Sequence, residues 1–170
     1  MEHLTTSSEV VKLGRPIGGK VDHEKITSYI TEAEQMNIKP VLGDKLFLDL
    51  LANGEENEKY QTLLAGGTYR ANNGELYSFV GLKCCIAYFV FAKNVMVGDF
   101  QTTRFGTVLK ESDYASHIST KERSDCYNDT LEVAQSYLRD CLRYCSHVGI
   151  PTGNLGSQRA SGGIKIRKIG

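Results

Sequence analysis

Apolar residues recur at helical spacing in several stretches of this chain, and turn residues separate those stretches. Ile26, Tyr29, Ile30, Ala33 and Met36 predict a helix from about Asp22 or His23 to Asn37. Pro40 suits the first turn of a second helix, where its missing N–H costs nothing. Val41, Leu42, Leu46, Leu50 and Leu51 share one face of it, Phe47 lies at the edge, and Asn53-Gly54 closes it. A short helix is predicted from Glu58 to Ala65 and ends at Gly66-Gly67. The third main helix is predicted over Ser78 to Val97. Val80, Cys84, Ala87, Tyr88, Phe91 and Val95 form one stripe, while Ile86, Phe89 and Val90 make other sides apolar too, which marks the central helix. The last helix runs from Ser119 to about His147. Ser119 with Glu122 makes a capping box, Cys126, Leu131, Ala134, Leu138, Cys141, Leu142 and Cys145 supply the packed face, and Gly149-Ile150-Pro151 ends it.

Other segments carry a different pattern. Thr68-Tyr69-Arg70 and Glu75-Leu76-Tyr77 flank Ala71-Asn72-Asn73-Gly74, and Asn-Gly predicts a tight turn. Phe100 to Lys110 sets β-branched residues around Gly106, the mark of a hairpin arm or extended loop at about 98–112. Val10 to Leu13 reads as strand-like, and Gly14-Arg15-Pro16-Ile17-Gly18-Gly19 forbids a helix after it, so residues 1–21 are expected as an extended arm. Ile164-Lys165-Ile166-Arg167-Lys168-Ile169 alternates with period two and has no neighbouring strand in sequence. The fold class expected is mainly α. A small helical bundle spans 22–150, with a protruding β-hairpin or extended loop and extended N- and C-terminal arms (1–21 and 151–170).

The chain has 170 residues, which suits one domain able to bury about 70% of its unfolded surface. Twenty Lys and Arg balance twenty Asp and Glu, so no global field points to DNA or a membrane. No apolar run is long enough to span a bilayer, and the first residues lack the apolar stretch of a signal peptide, which leads to a non-secreted, membrane-free protein. Charge is uneven, however. Residues 151–170 hold Arg159, Lys165, Arg167 and Lys168 and no acid, leaving 16 bases against 20 acids in residues 1–150. A basic tail on an acidic body can dock on an acidic neighbour, including a second copy.

Candidate chemistry is sparse. The five cysteines, Cys84, Cys85, Cys126, Cys141 and Cys145, read as reduced and buried rather than metal-binding, because Cys141 and Cys145 fall inside a helical pattern. Gly14 to Lys20 fits the spacing of a phosphate loop, but Val21 stands where a Mg²⁺-binding hydroxyl is needed and Pro16 removes an amide. His3, His23, His117 and His147 form no ligand or catalytic pattern, and Tyr77, Tyr88, Phe89 and Phe91 are expected in the core of the central helix. No catalytic residue, cofactor or metal is expected. The residues singled out are assembly contacts: Val10, Val11 and Leu13 on the N-terminal arm, Thr103, Phe105 and Val108 on the loop arm, and Ile164, Ile166, Arg167 and Ile169 on the C-terminal arm.

Four segments together resemble a known family: Tyr29-Ile30 with Ile38-Lys39-Pro40-Val41-Leu42-Gly43, then Gly66-Gly67-Thr68-Tyr69, then Gly81 to Val90, then Thr102 to Lys110. They look like head–tail connector (adaptor, or ring) proteins of tailed bacteriophages, in the versions found in crAss-like and other Bacteroidales phages. The resemblance spans about residues 25–148. It implies a helical bundle whose copies form a ring, commonly twelve-fold, under the portal. The ring would continue the DNA channel, pass DNA without sequence preference and seat the next neck or tail protein. The implied place is the virion neck, and host cytoplasm during assembly. The alternative reading is a cytosolic helical ligand-binding or regulatory domain.

Overall fold

The structure, a computed structural model, describes residues 2–17, 22–97, 100–103, 106–109 and 119–153. It is mainly helical, with two small antiparallel hairpins. In chain order the elements are α1 (Ser7–Leu13), α2 (His23–Ala33), a π-helical turn (Glu34–Ile38), α3 (Lys39–Leu42), α4 (Asp44–Asn53), α5 (Glu58–Ala65), β1 (Gly67–Arg70), β2 (Leu76–Phe79), α6 (Leu82–Val97), β3 (Phe100–Thr103), β4 (Gly106–Leu109) and α7 (Thr120–Val148).

Helix α6 is the hub. Leu82, Cys85, Ile86, Ala87, Phe89, Val90 and Ala92 are all buried, which uses more than one side of the helix. A helix apolar around its circumference has to be covered all round. α7, α2, α1 and α5 do this, with α7 making the most extensive contact. From α7 come Thr130, Ala134, Leu138, Cys141, Tyr144 and Cys145. The expected caps of α7 are present: Ser119 and Glu122 form the reciprocal capping box, and Gly149 closes the helix in the left-handed region (φ 74°).

Four expectations are corrected here. First, residues 7–13 are helical rather than an extended arm. Thr6 caps α1 through a box with Glu9, and Val10 is fully buried in the same core as α2, α6 and α7. Val10-Val11-Lys12-Leu13 looked like a strand because β-branched residues prefer one, but burial overrode local propensity. Second, Met36 is exposed (74%), and Ile38 takes its place in the core. The π turn adds a residue to the repeat, so the buried series passes from Ala33 to Ile38 instead of Met36. Third, the central helix begins at Leu82, so Tyr77 lies in β2 and Val80 on the connection, where it is 40% exposed. The second helix is also broken at Gly43, whose φ of 84° separates α3 from α4.

Because α1 belongs to the core, Val10→Ala is expected to lower unfolding free energy by about 2 kcal/mol through lost burial and a residual cavity. Urea denaturation of the full chain reads this out; an unchanged midpoint would return residues 7–13 to the status of a peripheral arm.

Candidate assembly interface

The β1–β2 hairpin is held to the body by backbone contact at its base and by rings along one face. Gly66 and Gly81, both at φ 84°, face each other where the hairpin leaves α5 and enters α6. A Cβ on Gly81 would lie 2.3 Å from the Gly66 nitrogen, and one on Gly66 would lie 2.4 Å from the Val80 carbonyl carbon. Only glycine accommodates both the positive φ and this approach. Within the hairpin, Tyr69 pairs with Tyr77 and Gly67 with Phe79. Tyr69 stacks on Tyr77 (5.7 Å between centroids), meets Tyr144 edge-on (5.5 Å) and lies 4.9 Å from the His147 ring. Phe79 stacks on Tyr144 at 4.7 Å. Such ring pairs add about 0.5–1.5 kcal/mol each beyond burial.

The other face of the hairpin is bare. Leu76 is 65% exposed, and Tyr77 and Val80 are partly exposed at its margin. Asn73 and Gly74 form the expected turn, and Arg70 closes it by donating to the Gly74 carbonyl (2.7 Å). A two-stranded sheet also leaves an open row of backbone donors and acceptors on each outer edge.

The N-terminal segment is tied down by charge. Leu4 N–H donates to buried Glu34 Oε1 (2.7 Å), and His3 Nδ1–H donates to Glu34 Oε2 (2.8 Å). Lys83 on α6 pairs with Glu9 at 2.6 Å. Arg15 donates to Asp129 (2.6 Å) and Thr130 (3.1 Å) on α7 and lies over the Tyr88 ring. This segment and the end of α4 form the two walls of a cleft of about 460 Å³. At the other end of α4, Gly153 N–H donates to the Leu42 carbonyl (2.6 Å), and Gly153 packs on Gly43 so closely that a Cβ there would meet Gly43 Cα at 2.8 Å.

The residues singled out from the sequence therefore separate. Val10 is fully buried and is corrected from assembly contact to core; Val11 is half-buried, and Leu13 is 38% exposed at the end of α1. Thr103 and Val108 fall on β3 and β4, which pair antiparallel with Thr103 opposite Gly106 and Gln101 opposite Val108. Phe105, Ile164, Ile166, Arg167 and Ile169 lie outside the described residues. Sequence reasoning passed over Leu76 and Leu48, the latter 60% exposed. Leu48 was legible, since it sits about 200° around the helix from Leu46 at 100° per residue.

Gly14 caps α1 by donating its amide to Val10 O, and the segment before it is a helix where a phosphate loop needs a strand. Cys85, Cys141 and Cys145 are buried free thiols. Burial raises all three, Cys145 to about 12, so they stay protonated and unreactive at neutral pH. His147 is engaged with Tyr69 rather than with a cysteine. Among the described residues no group of three or more His, Cys, Asp or Glu side chains could hold a metal ion, and no helix is long and apolar enough to cross a membrane.

These features define a helical scaffold that carries two β-hairpins, one of them rigidly mounted with a bare outer face. The chain belongs to a family of unknown function, DUF6712, whose model matches residues 38–149. That span runs from α3 to α7 and includes both hairpins, while the N-terminal clasp and the basic tail lie outside it. No curated protein and no solved structure matches the chain.

Gly81→Ala is expected to destabilise the fold by about 2 kcal/mol or more, because positive φ and the backbone contact both oppose it. A melting temperature equal to the parent's would show that the hairpin base tolerates a side chain.

A second expectation concerns acid. Burial alone would raise the Glu9 carboxyl, but Lys83 and the Thr6 amide outweigh it and hold the group below its ordinary range. A depressed carboxyl stabilises the fold at neutral pH, and that stability is lost as pH falls through the folded value. Glu9→Gln should therefore lower the denaturation midpoint at pH 7, with parent and variant converging as pH falls below the ordinary carboxylate range and through the lowered folded value. A pH-independent gap between them would assign the effect to something other than this charge.

Proposed function

We propose that the chain is a structural virion protein, not an enzyme, which forms an oligomeric ring in the neck of a tailed phage. In this reading it joins the portal to the tail and continues the DNA channel. Its partners are further copies of itself, commonly twelve in a ring, the portal protein and the next neck or tail protein. Packaged DNA passes through without sequence-specific contact, and no membrane takes part.

The observation that carries the reading is the β1–β2 hairpin: fixed at its base and inner face, bare on its outer face and edges. Rings need a heterologous contact, in which two different patches of one subunit meet. A hairpin has two different outer edges, and edge addition of a strand satisfies backbone groups while covering apolar side chains. Covering Leu76 contributes on the order of 1–2 kcal/mol per contact. The mount matters because a ring closes only if each copy turns the chain of contacts through the same angle. The β3–β4 pair offers a second set of edges for the neighbouring layer.

Light scattering after size exclusion, on the full chain alone and with a portal protein, tests this. A discrete oligomer is expected, and Leu76→Lys should reduce its mass without changing helical circular dichroism. A chain that stays monomeric with the portal protein present overturns the ring. If that monomer were in addition stabilised by a small molecule, the helical ligand-binding reading would take its place.

A further inference from the structure

We propose that the cleft between the N-terminal segment and the end of α4 is the docking site for the chain's own basic tail, residues 164–169. Leu50, Leu51 and Leu64 form the apolar part of the cleft's lining, its floor. Its rim carries Glu2, Glu55 and Glu56, which make no ion pair among the described residues. The other acid of the wall, Glu9, is already engaged by Lys83. The site thus combines leucines with surplus negative charge.

The tail has the complementary pattern. Ile164-Lys165-Ile166-Arg167 alternates apolar and cationic residues, and Lys168 and Ile169 add one more of each. In an extended strand, alternate side chains point to opposite sides. One side then offers isoleucine to the floor while the long basic side chains of the other can bend to the rim.

Chain geometry identifies the tail as belonging to the same copy. Gly153 is pinned to Leu42 and Gly43, just before α4 begins, and the cleft lies at the end of that helix. Ten helical residues separate the two points by about 15 Å. The connecting residues 154–163 number ten, and half of them are Gly or Ser. A linker of that length and composition has a root-mean-square span of roughly 17 Å. Effective concentration is highest when linker span matches the distance between sites, so the chain's own tail outcompetes that of a free second copy. This inference does not depend on the ring: a lone chain suffices for it.

Zero-length carbodiimide cross-linking of the full-length chain tests the site. The reagent joins a lysine amine to a carboxylate as an amide, so only contacting pairs react. Equal amounts of natural-abundance and ¹⁵N-labelled chain are mixed first, and peptides are read by mass spectrometry. Links from Lys165 or Lys168 to Glu55, Glu56 or Glu2 are expected, in single-label pairs only, with loss of the links in molar salt. Glu55→Gln with Glu56→Gln should also abolish links to Glu2, because docking itself is weakened. Mixed-label pairs would assign the cleft to a neighbour's tail and overturn the same-chain docking. Links scattered over carboxylates remote from the cleft, or no links to it, would overturn the site. Light scattering on the same sample reports the ring separately, so failure of one reading is not mistaken for failure of the other.

Discussion

The constraint on which the structure depends is that α6 buries residues on more than one side. A half-exposed helix needs one partner, whereas α6 needs a wrapping, and the chain supplies it with four helices from widely separated parts of the sequence. This explains why the first residues are helical. With α2, α5 and α7 in place, the remaining side of α6 is covered by α1, through Val10 and the Lys83–Glu9 pair. The N-terminal segment places Leu4 and Val10 in the core, and charge-assisted bonds add to its hold: His3 and Leu4 to Glu34, and Arg15 to Asp129 and Thr130. Glu34 is tolerated inside because both its oxygens accept hydrogen bonds.

Much of this was legible wherever a local signal has a local cause. Ser119 with Glu122, Gly149 and Asn73-Gly74 act through backbone chemistry within a few residues, and each stands where the sequence puts it. The misreadings have non-local causes. Val10 reads locally as a strand residue, because its partner surface lies on α6, more than seventy residues away. Met36 fits the core by a 3.6-residue repeat, but that repeat is interrupted by a π turn that no single residue announces. Val80 fits the helical stripe of α6, yet Gly81 holds φ 84°, and that geometry answers to Gly66 across the hairpin base.

The candidate interface was legible in part. The loop arm was placed from β-branched residues around a glycine, and a paired hairpin is found there, since that composition favours strands whatever surrounds them. The bare face of β1–β2 was harder to see. Tyr69, Tyr77 and Phe79 are aromatic residues in a short segment, and nothing local says which side of the strands meets α7. The side is set by α7, whose Tyr144 and His147 receive the rings and leave Leu76 on the opposite face.

The N-terminal segment serves two ends at once, which restricts how the protein can vary. It packs α1 against α6, and its outer surface is one wall of the acidic cleft. Glu9 shows the tension most plainly. It faces the cleft, yet it caps α1 through Thr6 and neutralises Lys83, so its charge is consumed by the fold. Glu2, Glu55 and Glu56 carry no such duty, and their substitution costs the fold little while changing the charge of the rim. The surface charge of the cleft can thus be altered on the α4–α5 connection without loosening the core, whereas the same alteration at Glu9 touches both. A surface that must adapt to a partner is best carried by residues of the first kind, and the cleft has three of them on its rim.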